Sequence, residues 1–101
     1  MQTPEKIAAA FTALSHRRRV IIYRALRNAG ASGLNHSALQ AVTRLSPMSL
    51  SHHLGPMLAA GLVRSTRRGT YVFLTLNPAA FLDVADSLAS EKGGAGTARA
   101  A

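Results

Sequence analysis

The apolar positions change period along the chain, from helical spacing in the first sixty residues to alternation soon after. Ile7, Ala10, Phe11 and Leu14 recur at helical spacing, and Pro4 suits a first turn, so a helix is predicted over 4–14. Ser15 reads as the N-cap of a second helix, 16–28, whose apolar side is Val20, Ile22, Tyr23 and Leu26, with Ile21 adding to it. Residues 28–33, rich in Gly, Ala and Ser, form a turn cluster. Leu34 and Asn35 then supply the staple and cap of a short third helix, 36–43, with Leu39 and Val42 as its buried positions. Ser46 caps the next helix, Pro47 occupies its first turn, and Gly61 follows its end near Ala60.

Beyond Gly61 the period drops to two. Residues 62–66 and 70–76 read as two strands around the tip Arg67-Arg68-Gly69, where Gly69 can take the positive φ of a tight hairpin. Asn77-Pro78 opens a last helix, 78–90, with Phe81, Val84, Ala85 and Leu88 on one face. Residues 91–101 are Gly- and Ala-rich without periodicity and are expected to be a disordered tail. The predicted fold is mostly α with a small β-hairpin: about five helices plus a two-stranded wing, in one domain over 1–90. Two short helices joined by a tight turn and followed by a basic hairpin describe a winged helix-turn-helix.

Charge sharpens this picture. The net charge is +8, and the four acids, Glu5, Asp83, Asp86 and Glu91, lie near the two ends. Between Ile7 and Leu82 there are nine arginines and no Asp or Glu. Such a segment has no internal acidic partners and projects a positive field toward a polyanion. An anionic membrane surface fits less well, because the basic residues do not form one amphipathic helix rich in Trp and Phe. No apolar run reaches membrane-spanning length, the N-terminus lacks a signal-peptide layout, and there is no cysteine. The residual expectation is a cytoplasmic protein with double-stranded DNA as partner, no membrane and no cofactor. An enzyme is disfavoured: the central segment has no carboxylate for acid–base work and no nucleophile–base–acid set.

In a winged helix-turn-helix the second helix of the pair enters the major groove with its N-terminal residues at base edges. Here that stretch is Ser46-Pro47-Met48-Ser49-Leu50-Ser51-His52-His53. Ser46, Pro47, Met48, Ser49, Ser51, His52 and His53 are the candidate contacts from the helix, with at least one of the two histidines on DNA. Arg64, Arg67, Arg68 and Thr70 are the candidates from the wing, on flanking backbone or in the minor groove. His52 and His53 are adjacent on a helix and so do not face each other as a metal pair. His16 and His36 read as surface or capping residues. Pro56 removes one backbone donor and is expected to kink the helix near 52–56.

These segments resemble a known family. Ser46-x-x-Ser49-x-Ser51-His52-His53-Leu54, then Ala60-Gly61-Leu62-Val63, then 67–73 are similar to the ArsR/SmtB repressors, as are Ala13-Leu14-Ser15, Arg19-Val20, Ile22-Tyr23 and Leu26 upstream. The resemblance spans about residues 5–90. It implies a winged-helix homodimer, joined through the first and last helices, that represses by occupying a promoter palindrome and is released by an effector. The departures matter too. The family's soft-metal sensors use cysteines, and this chain has Leu34-Asn35-His36-Ser37 in the third-helix region and no thiol. Its zinc sensors use Asp and His on the last helix, where Asp83 and Asp86 are followed by no histidine. Neither metal site is expected, and the effector is left open. Arg44 stands where a turn glycine is frequent and Thr43 where a leucine is common, which points to a corner that is looser or shaped differently. A non-specific architectural DNA binder is the alternative function, and a protein-interaction module is a further one.

Overall fold

In the computed structural model, residues 3–77, 79 and 80 are described. The elements run α1 (Pro4–Ala13), α2 (Arg17–Ala29), a 3₁₀ turn (Gly30–Ser32), β1 (Leu34–Asn35), α3 (His36–Thr43), α4 (Pro47–Ala59), β2 (Val63–Arg68) and β3 (Tyr71–Leu76). This is a mostly helical fold with a small sheet as its wing. The last expected helix and the tail lie outside the described residues, apart from Ala79 and Ala80, which are helical.

Side-chain caps set most helix starts. Thr3 Oγ1 accepts from the Lys6 N–H at 3.1 Å, Asn35 Oδ1 from Ala38 at 2.8 Å and Ser46 Oγ from Ser49 at 3.1 Å. Each satisfies a donor that the first helical turn leaves without an intrahelical partner. At α2 the cap is His16 rather than Ser15. His16 Nδ1 accepts from the Arg18 N–H at 3.1 Å, while Ser15 Oγ donates back to the Thr12 carbonyl at 2.7 Å and closes α1.

The core gathers Ala13, Ile22, Leu26, Leu39, Leu50, Leu54, Met57, Leu62, Val63 and Leu74. All four helices, β2 and β3 contribute, so the helices and the wing share one core. Several positions expected inside are on the surface: Phe11 is 53% exposed and Val42 60%, and Val20 also reaches solvent. On α3 the buried partner of Leu39 is Thr43, four residues on, instead of Val42. A threonine can replace a leucine there because its hydroxyl donates to the Leu39 carbonyl at 2.7 Å. The same oxygen accepts from the Leu45 N–H at 3.4 Å, so Thr43 ties the corner that was expected to be looser or shaped differently.

The sheet has three strands in the order β1-β3-β2, where two were expected. Leu34 pairs with Leu74 and Asn35 with Phe73, so the residues read as staple and cap also form a short edge strand. Gly33 makes this approach possible. Its φ is 70°, and a Cβ there would lie 2.4 Å from the Leu74 carbonyl oxygen and 2.6 Å from Thr75 Cγ2. The hairpin tip is also displaced from its expected place. Arg67 and Arg68 belong to β2, and Arg68 pairs with Tyr71, leaving the two-residue loop Gly69-Thr70. Gly69 has φ 66° and Thr70 is not among the positive-φ residues, the pattern of a II′ turn. Asn77 locks the far end of the wing: its N–H donates to the Leu62 carbonyl at 2.8 Å and its Nδ2 to the Gly61 carbonyl at 3.1 Å.

Two substitutions test this account. Gly33→Ala adds a left-handed penalty to a backbone clash, so a loss of at least about 2 kcal/mol is expected. That should appear as a fall in Tm of roughly 8 °C or more for a domain of this size. Arg44 is the C-cap of α3, with φ 63° and ψ 24°. Arg44→Gly relieves that left-handed strain and should raise stability by roughly 0.5–1 kcal/mol in a denaturant melt. A stabilised Gly33→Ala or a destabilised Arg44→Gly would contradict the backbone assignment at these corners.

Candidate nucleic-acid interface

The face that α4 presents follows from what it buries. Leu50, His53, Leu54 and Met57 form its inner stripe. The helix is assigned without a break from Pro47 to Ala59, with Pro56 inside it. Pro47, Met48, Ser51, His52 and Gly55 are exposed at the complementary positions, and Met48 is 83% exposed. Ser49 is half-buried, and Ser46 is exposed with its hydroxyl engaged as the helix cap. The outward row is thus small and polar around one projecting methionine, at the N-terminal end of the helix.

His53 departs from the expected site. It is only 5% exposed and packs between helices, so its ring is not presented to a ligand. Its Nδ1 accepts from Arg19 Nε at 3.3 Å, and Arg19 Nη1 donates to the Thr12 carbonyl at 3.2 Å. One guanidinium therefore joins the end of α1 to the inner stripe of α4. The His16 ring lies 4.5 Å from that of His53, and the His52 ring 5.1 Å. Burial holds the His53 pKa below its ordinary value of 6.5, and the neighbouring His16, His52, Arg19 and Arg18 push in the same direction. The neutral ring, with its proton on Nε2, is the form that can accept from Arg19. Sequence reasoning missed Arg19 and misplaced His53. The signal for His53 was present: it completes the helical stripe Leu50, His53, Leu54, Met57.

On the wing, residues 64–70 are all exposed. The register puts Arg64 opposite Thr75, Arg67 opposite Val72 and Arg68 opposite Tyr71. Because side chains alternate, Arg64 and Arg68 share one face with Phe73, while Arg67 lies on the other. Arg68 is held in place: Nη2 donates to the Ser32 carbonyl, and the guanidinium sits 4.0 Å over the Phe73 ring. Arg64 and Arg67 carry no hydrogen bond or ring contact to other described residues. Thr70 stands in the exposed loop.

Among the described residues no three His, Cys, Asp or Glu side chains are grouped to hold a metal ion. Nor does any helix among them have the length and apolarity to cross a membrane.

Neither the known protein-family models nor the curated proteins contain a match to this chain. Solved structures do match. A predicted DNA-binding transcriptional regulator from E. coli is 30% identical, with 83% of this chain and 87% of that one covered and a TM-score of 0.63. An ArsR-like transcriptional regulator from Rhodococcus sp. RHA1 is 26% identical over 89% of this chain and 82% of its own, with a TM-score of 0.80. The chain belongs to the ArsR-like winged helix-turn-helix regulators. NolR from Sinorhizobium fredii is similar too, at 26% identity, 92% and 98% coverage and a TM-score of 0.63. This member of the family is a DNA-binding transcriptional regulator built on a non-catalytic fold. It has no cysteine with which to build a thiolate metal sensor.

The buried histidine makes stability depend on pH. A folded-state pKa below the unfolded one means that the folded chain binds this proton less readily. The contribution is present above about pH 6.5 and is lost as pH falls through the folded-state value. Thermal melts should therefore be flat between about pH 7 and 8 and decline below about 6.5. His53→Gln keeps an acceptor for Arg19 and cannot titrate, so its decline should be shallower. An identical acid decline in both proteins would place the titrating group elsewhere.

Proposed function

We propose that this regulator acts as a homodimeric repressor that recognises an inverted-repeat operator. The observation that carries the reading is the exposed polar row at the start of α4, set beside a wing with two uncommitted arginines. In this reading α4 lies in the major groove, and Ser46, Pro47, Met48, Ser49, Ser51 and His52 reach base edges or adjacent phosphates. Arg64, Arg67, Arg68 and Thr70 meet the flanking backbone or the minor groove. His53 stays behind the surface and sets the angle of the helix. The dimer forms through the first and last helices. Phe11, a large apolar side chain left 53% exposed on α1, is consistent with a covering partner there.

Selection of bound duplexes from a randomised library tests the reading. The enriched sequences should be imperfect inverted repeats with half-sites about one helical turn apart. Their affinity should exceed that for random duplex by about a thousandfold or more. Ser51→Ala or His52→Ala should relax the preference at particular base positions, by roughly 1–3 kcal/mol for a good contact. Arg67→Ala should weaken all sequences alike and lower the salt slope by about one. Equal affinity for every duplex would instead identify a non-specific architectural binder, which the net charge of +8 also suits.

A further inference from the structure

A cleft between the end of α2 and β3 takes no part in the interface described above. Its volume is about 480 Å³, and none of its lining comes from α4. Tyr23, Leu26 and Arg27 line it from α2, Ala31 from the 3₁₀ turn, and Thr75 and Leu76 from β3. Spacings of three and four put the α2 trio on one helix face. The turn leaves the space open, because Ala31 carries only a methyl group and a Cβ on Gly30 would meet no atom within 4 Å.

The walls do not suit a phosphodiester. Leu26 is buried, and the half-buried Tyr23 and Leu76 pack against the same core. Such walls favour a hydrocarbon chain or an aromatic ring. One charge stands beside them. Arg27 is exposed in the last turn of α2, and its side chain has no hydrogen bond, ion pair or ring contact among the described residues. The only acid among those residues is Glu5 on α1, so from them a second copy brings few carboxylates to meet it. An apolar wall under an uncommitted guanidinium selects an apolar body with one carboxylate, which Arg can hold through paired N–H donors.

We propose that this cleft is an effector site for a small aromatic or branched organic acid, and that filling it weakens DNA binding. The effector role rests on the DNA-binding reading; the acid-binding role does not. The fold supplies the coupling. Ala31 precedes Ser32, whose carbonyl accepts from Arg68 of the wing, and Thr75 and Leu76 belong to the strand paired with β2. The other wall, α2, carries Arg19, which is bonded to His53 of α4. An occupant wedged between α2 and β3 therefore bears on the angle between the wing and the recognition helix. Both must meet one duplex together, so a state that holds the acid better and DNA worse links the two ligands.

The probe is 1-naphthoate, added to the full chain at constant ionic strength with acetate as the ionic control. Calorimetry should give a Kd between about 10 μM and 1 mM. The uncharged 1-naphthalenemethanol should bind at least about threefold more weakly, a modest factor because Arg27 is exposed. Arg27→Gln should weaken naphthoate by the same factor and leave the alcohol unchanged. Arg24→Gln, an equal loss of charge on α2 outside the cleft lining, should leave both unchanged. In anisotropy titrations of a fluorescein-labelled mixed-sequence duplex, saturating naphthoate should raise the duplex Kd by about fivefold or more. Arg27→Gln at the same naphthoate concentration should lose most of that rise. A wild type that takes up no naphthoate overturns the proposal, and is expected if the chain's own C-terminal acids or a second copy fill the cleft. Equal binding of acid and alcohol, or binding insensitive to Arg27→Gln, also overturns it. Naphthoate binding that leaves the duplex Kd unchanged overturns the effector role and leaves the DNA-binding reading intact. A folded protein that binds naphthoate but no duplex overturns the DNA-binding reading and the effector role with it.

Discussion

The surface proposed to face DNA depends on the burial of one stripe of α4. Leu50, Leu54 and Met57 are essentially inaccessible in the shared core, each worth roughly 1.5–3 kcal/mol of burial. Once they are inside, the rotation of α4 is decided, and Pro47, Met48, Ser51 and His52 must face outward. Elements on all sides hold that rotation, since α1, α2, α3 and β2 all contact α4. A small change in the stripe would turn this outward row without touching any of its residues.

His53 is the polar member of this stripe, and its setting explains why it is tolerated. A buried imidazole needs a hydrogen-bond partner. Arg19 supplies one, and by also reaching the Thr12 carbonyl it fastens α1 to the recognition helix. The arrangement requires a neutral ring, which burial and the surrounding cations enforce. One side chain therefore links the packing of α4 to the position of α1.

The arginines divide into structural and free ones only when the fold is seen. Arg19 is internal to the helical packing, Arg68 braces the tip end of the wing against Ser32 and Phe73, and Arg44 accepts a left-handed turn position. Arg64 and Arg67 carry no such contact among the described residues. In a segment without acids these roles cannot be separated by charge, because all nine arginines read alike. They differ in which carbonyl, ring or imidazole the fold brings within reach.

Helix order, the caps and extent of α3 and α4, and the shift to strands were legible in the sequence. They depend on local chemistry: capping oxygens at Asn35 and Ser46 lie within three residues of the donors they satisfy. The acid-free basic body and the family resemblance were legible for a similar reason, since both are properties of the linear chain. Contacts between distant segments were not. The third strand needs Leu34 beside Leu74, forty residues away by number, and a glycine at 33 to permit the approach. The burial of His53 needs Arg19 from another helix, and the brace on Arg68 needs Ser32. The sequence by itself determined that the four helices and the hairpin form and that they carry a polyanion-binding charge. Only the tertiary structure decided which histidine and which arginines remain free to act, because a polar side chain's role depends on the partner that folding brings to it.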